Sequence, residues 1–189
     1  TQEERRMIDA IQLFLQQEFE TIGYPTSLPS IDYDQIHLLS DEAFKHNFPD
    51  ESPDVAGFNR PAESAVYINK ERGTTDLFAT ILHEYIHLVS ASKFYVDESD
   101  IYDVKSGYRT RAPWKHAEEE RGLDYFRGLN EFMTELMTLH LLEKNINTLQ
   151  QEFGITADDI HGPIYFYFDE SLLFQTIIQT ISRQSARDP

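Results

Sequence analysis

The chain contains no cysteine. Disulfide bridges, thiolate-bound zinc and a cysteine nucleophile are therefore excluded. No apolar run approaches the ~18 residues that a membrane-crossing helix needs, and the N-terminus lacks the apolar core of a signal peptide. The chain starts at Thr1 rather than Met, so that second absence carries no information about compartment. Cations are scarce: 16 Lys and Arg stand against 33 Asp and Glu, a formal net charge of −17. Such a field repels nucleic acid and anionic membranes, and it accommodates neutral or basic partners more easily. Internal repeats, low-complexity tracts, Gly-rich phosphate loops, G-x-S-x-G elbows and EF-hand loops are all missing. Nothing in the pattern bears on oligomeric state.

What is present describes a packed domain. The 189 residues are 40% hydrophobic and 13% aromatic, enough to bury a sizeable core without covalent staples. Ile8, Ile11, Leu15, Phe19 and Ile22 recur at helical spacing, which predicts a helix over about 2–22, ended by Gly23 and Pro25. A short strand follows at 35–39, and a short helix near 41–48. Four helix breakers (Pro49, Pro53, Gly57 and Pro61) make 49–63 a loop. Residues 64–69 alternate and are β-branched, which predicts a strand, placed at a sheet edge. A helix capped by Thr74 or Thr75 runs to about Ser92. Residues 104–111 form a further strand, interrupted by Gly107. A long helix ends at Lys144, residues 158–163 are loop, and a last helix spans about 169–182. The fold class is α+β: mostly helical, with a small mixed sheet ahead of the 74–92 helix. The chain is read as one domain over 1–189, with an N-terminal helix and strand/loop region (1–63), a central part (64–145) and a C-terminal helical part (146–189).

The central part carries the chemistry. In His83-Glu84-Tyr85-Ile86-His87 the two histidines stand at i and i+4, so both imidazoles share one helix face and can meet one ion. Glu84 is offset by about 100° and can lean over that ion without ligating it. Two ligands with a base beside them is what a zinc peptidase requires. The bland alternative is a pair of surface histidines on an amphipathic helix. The apolar face of Leu77, Phe78, Ile81, Leu82, Ile86 and Leu88 sets the polar side apart. A catalytic zinc needs a third protein ligand and an open position. The best source is Asn130-Glu131-Phe132-Met133-Thr134-Glu135, where Glu131 and Glu135 again stand at i and i+4. One can ligate while the other accepts the second ring N–H of a ligand histidine. Left alone, like charges at this spacing repel.

This pair of motifs, HExxH followed by an Asn-Glu-x-x-x-Glu helix, resembles the gluzincin metallopeptidases of the thermolysin-like clan. The likeness spans about residues 64–140. It implies a zincin-like fold, a Zn²⁺ held by His83, His87 and Glu131, Glu84 as general base, and Glu135 and Asn130 as supports of the ligands. It also implies peptide or protein substrates, aligned by the strand around Tyr67. The interval from His87 to Glu131 is 44 residues, longer than in thermolysin. The family's oxyanion-steadying histidine has no clear match. His161 and Tyr108 are the candidates for that catalytic role, with Tyr165 and Tyr167 as rivals, since a phenol can donate to the same oxygen. His140 lies nine positions after Glu131, on the opposite helix face, and is not expected to ligate. His37, His46 and His116 read as structural or exposed. Glu118, Glu119 and Glu120 read as a solvated face. A second functional class stays open: a zinc-binding but non-catalytic regulatory or interaction domain of a larger protein.

Overall fold

The computed structural model describes residues 1–23, 32–52, 54–60, 63–71, 74–90, 92–96, 101–106, 109–111, 124–125 and 127–160. Helix α1 covers Gln2–Thr21, and its N-terminus is closed by a capping box between Thr1 and Glu4. A 3-10 turn at Tyr33–Gln35 leads into strand β1 (Ile36–Leu39), then helix α2 (Asp41–Asn47) capped by Ser40. Strands β2 (Gly57–Arg60) and β3 (Ala65–Asn69) precede helix α3 (Thr74–Val89). Strands β4 (Ser92–Val96), β5 (Ile101–Ser106), β6 (Arg109–Arg111) and β7 (Asp124–Tyr125) come next. Helices α4 (Arg127–Lys144), α5 (Ile146–Phe153) and α6 (Ala157–Ile160) follow them. The class is α+β, mostly helical, with a small mixed sheet preceding α3. Among the described residues no helix is long and apolar enough to cross a membrane. The expected helix at 169–182 lies outside the described residues.

The first sheet has the order β1-β3-β2, parallel between β1 and β3 and antiparallel between β3 and β2. This corrects two expectations. Ala65–Asn69 is the middle strand, not an edge, because main-chain hydrogen bonds occupy both its sides. Gly57–Arg60 is a strand within a stretch whose prolines suggest loop throughout. Those prolines sit at positions 49, 53 and 61, outside the four paired residues, so the ladder keeps every N–H it needs. The single strand expected over 104–111 is instead two antiparallel strands of a second sheet, ordered β4-β5-β6-β7. The loop expected over 158–163 begins within α6.

Alternation along β3 decides what lies on each face of the first sheet. Val66 and Ile68 point down into a core shared with Ile11, Phe14 and Leu15 of α1 and with Phe78, Ile81 and Leu82 of α3. Tyr67 points up, where Phe44 of α2, Phe48 just past its C-terminus and Phe58 of β2 pack edge to face or tilted against one another. Burying each of these large side chains stabilises the fold by roughly 1.5–3 kcal/mol. The apolar side of α3 is thus committed to the core, leaving its histidine side to face α4.

Helix α1 is tied to α4 by a polar contact as well. Glu18 accepts from Lys144 Nζ at 2.5 Å and from His140 Nε2 at 3.1 Å. The Lys144 bond, with that of His140, outweighs burial and holds the Glu18 carboxyl below its usual range. Tyr85, in contrast, is fully buried with no partner for its hydroxyl among the described residues.

Glu18→Gln is expected to cost about 1 kcal/mol in urea unfolding at neutral pH. The difference from wild type should vanish as acid protonates the carboxylate, since the stabilisation exists only while Glu18 is charged. Tyr85→Phe removes an unsatisfied polar atom and should leave stability unchanged or raise it by up to about 1 kcal/mol. A clear loss would reveal a partner for the hydroxyl.

Candidate metal centre

Helices α3 and α4 pack with their polar stripes together. His83 and His87 come from α3, one turn apart; Glu131 and Glu135 come from α4, likewise one turn apart. The side chains of His83, Glu131 and Glu135 are 12–15% exposed and that of His87 5%. The Nε2 atoms of His83 and His87 are 3.1 Å apart. Glu131 Oε2 lies 3.1 Å from His87 Nε2 and 3.4 Å from His83 Nε2. A tetrahedron with zinc-like bonds of ~2.0–2.1 Å has edges of roughly 3.3–3.4 Å, so these three atoms form nearly one face of it. His83, His87 and Glu131 are a group that can hold a metal ion.

The outer nitrogens are also engaged. His83 Nδ1 is 3.2 Å from Glu135 Oε2. A proton on Nδ1 donates to that carboxylate and leaves Nε2 as a lone pair. His87 Nδ1 faces the Asn130 amide nitrogen Nδ2, a donor only, at 3.2 Å and the Thr134 hydroxyl at 3.4 Å. The Thr134 hydroxyl donates to the Asn130 carbonyl at 2.9 Å, so its oxygen is left to accept from Nδ1. Thr134 escapes a motif search because a threonine inside an apolar helix looks like packing. Its signal is the i+4 spacing from Asn130.

Glu84 is buried on the same helix, 8% exposed. Burial pushes its carboxyl up, while His83 and His87, and to a smaller extent the Asn59 side chain, pull it down. For Glu131 burial alone would raise the carboxyl; the hydrogen bonds to His83 and His87 outweigh it and hold the group far below its usual range. For His83 burial opposes the charge, yet Glu131 and Glu135 outweigh it and push the imidazole up to about 10. Glu135 Oε1 is buried without a partner among the described residues. Three carboxylates thus crowd around two imidazoles, an arrangement that calls for positive charge.

The donor set discriminates between ions. Two imidazoles with one carboxylate suit zinc and its transition-metal neighbours. Calcium and magnesium prefer cages built from oxygen alone. His140 takes no part, being turned to Glu18 on the other side of α4. His37 stacks on Tyr67 with ring centroids 4.7 Å apart. His46 is exposed on α2. Tyr108, His116, Glu118 to Glu120, His161, Tyr165 and Tyr167 lie outside the described residues. The first sheet meets the group through β2, where Asn59 reaches Glu84, rather than through β3. The strand around Tyr67 therefore cannot align a peptide through its main chain, as both its edges are paired.

Comparison with protein-family models, with curated proteins and with solved structures gives no match. The gluzincin resemblance is carried by the HExxH spacing and by the grouping of His83, His87 and Glu131.

Below about pH 10 the His83 imidazole holds a proton that a metal must displace. Calorimetric zinc titrations in buffers of different ionisation heat, at roughly pH 7 to 9, should show about one proton released per ion and affinity rising about tenfold per pH unit. Binding indifferent to pH would remove His83 from the ligand set. Glu135→Gln should weaken zinc binding ~10–100-fold without abolishing it.

Proposed function

We infer that the protein is a zinc-dependent metallopeptidase that hydrolyses peptide bonds, with Glu84 as its general base. The observation that carries this reading is the meeting of His83 Nε2, His87 Nε2 and Glu131 Oε2 within 3.4 Å of one another, beside a buried Glu84 on the same helix. A structural metal site has no use for that extra carboxylate, since such sites are closed by four protein ligands.

Zinc held by His83, His87 and Glu131 would supply Lewis acidity, lowering the pKa of a bound water towards ~7 and polarising the scissile carbonyl. The chain's own residues do the rest. His83 is kept in one tautomer by Glu135, and a proton on His87 Nδ1 is accepted by the Thr134 hydroxyl oxygen. Glu84 takes one proton from the attacking water as its oxygen adds to the carbonyl carbon. It returns that proton to the nitrogen as the carbon–nitrogen bond breaks, so the base is regenerated. The raised proton affinity of Glu84 suits both halves of that task. His161 and Tyr108 are the proposed donors to the developing oxyanion. An extended peptide would lie along β2, whose second edge has no strand partner among the described residues. With a net charge of −17, neutral or basic peptides are the favoured substrates.

Glu84→Gln keeps shape and removes the base. It should retain zinc at one ion per chain and lower hydrolysis of a quenched-fluorescent peptide library by at least ~10²-fold. Zinc retained with unchanged hydrolysis would take Glu84 out of the mechanism. Zinc bound with no hydrolysis even in wild type would favour a non-catalytic zinc domain.

A further inference from the structure

Strand β2 is held at both ends. At its start Gly57 lies so close to α3 that a Cβ there would stand 2.9 Å from Thr80 Cγ2 and 3.1 Å from the Tyr67 carbonyl oxygen. Only glycine lets the strand approach the helix so closely. At its end the Arg60 guanidinium lies 5.0–5.6 Å from the ring centroids of Phe48, Phe58 and Tyr67, and pairs with Glu63 at 3.0 Å. Between these anchors, alternation turns Asn59 to the same side as Gly57, towards α3. Thr80 and Glu84 are one turn apart on α3. Two residues along the strand thus match four along the helix, which turns the Asn59 side chain towards Glu84, whose carboxyl it helps to pull down.

An ionised carboxylate has no hydrogen to give, so towards Glu84 the Asn59 amide N–H is the donor and the carboxylate the acceptor. Among the described residues, the imidazoles beside Glu84 are His83 and His87, and both already have partners at each ring nitrogen. We propose that Asn59 is the positioning residue of Glu84: it holds one carboxylate oxygen and leaves the other to accept the proton of the attacking water. The proposal rests on the peptidase reading and deepens it. A base buried on a helix can swing through several rotamers, and holding it in one cuts the cost of reaching the reactive geometry. The two anchors of β2 give Asn59 the rigidity this requires.

The test uses Asn59→Ala, Asn59→Asp and Asn59→Gln in the full chain. Each is assayed on the best-cleaved peptide of the library, beside Glu84→Gln and with zinc affinity measured on every variant. Asn59→Asp keeps the shape of the side chain and loses the donor, so it serves if the alanine variant fails to fold. Loss of the donor should lower kcat ~10–100-fold, with KM and zinc affinity within about twofold of wild type. Asn59→Gln, which keeps a donor on a longer arm, should recover part of the loss. An unchanged kcat in Asn59→Ala or Asn59→Asp overturns the proposal, and so does a rise in KM at constant kcat, which would make Asn59 a substrate contact. If Glu84→Gln is itself fully active, the peptidase reading falls first; if Glu84→Gln is inactive and Asn59→Asp is not, only the role of Asn59 falls.

Discussion

Glu84, Glu131 and Glu135 share one buried seam between two helices, and only two imidazoles face them. Taking an unpaired carboxylate out of water costs several kcal/mol, and the cost grows when like charges are neighbours. The seam is eased where imidazoles stand between carboxylates. His83 bridges Glu131 and Glu135, and His87 sits between Glu131 and the Asn130–Thr134 pair. The polarity that makes this region costly for folding suits it to a cation. A divalent ion held there would compete with protons for the same lone pairs, which would couple stability, metal affinity and pH in one cluster.

The rest of the molecule can be understood as what keeps that seam in register. Helix α3 has little freedom to rotate, because Phe78, Ile81 and Leu82 are locked into a core with α1 and β3. Helix α4 is fixed along its far side by Leu141 and Leu142 in the same core and by the Glu18 contact with Lys144. A rotation of either helix by one residue, about 100°, would carry its donor groups away from the seam and bury charge in the hydrocarbon core. Ligand geometry is thus enforced by apolar packing on the opposite faces, which is dense and intolerant of small shifts. The first sheet contributes in a different way. It presses β2 against α3 through Gly57 and so brings one polar side chain, Asn59, towards Glu84.

Much of this is legible along the chain. The i, i+4 pairs His83/His87 and Glu131/Glu135 each share a helix face by spacing alone, since helical period converts directly into direction. The core faces of α1 and α3 are equally plain from Ile8, Ile11 and Leu15 and from Leu77, Phe78 and Ile81. Strands are harder. Four residues of β2 lie in a proline-punctuated stretch, and nothing local separates a short paired strand from a loop. The middle position of Ala65–Asn69 is hidden for the same reason: whether a strand has one neighbour or two is a property of the sheet, not of its residues.

Sharing a helix face depends only on backbone period over a few residues, so the order of amino acids alone names both halves of the metal group. That the two halves meet, 44 positions apart and with donor atoms 3.1–3.4 Å from one another, is a product of the folded packing. So is the arrival of Asn59 at Glu84. Contacts of that kind depend on how helices and sheet fit together, and that fit is settled by the whole core at once.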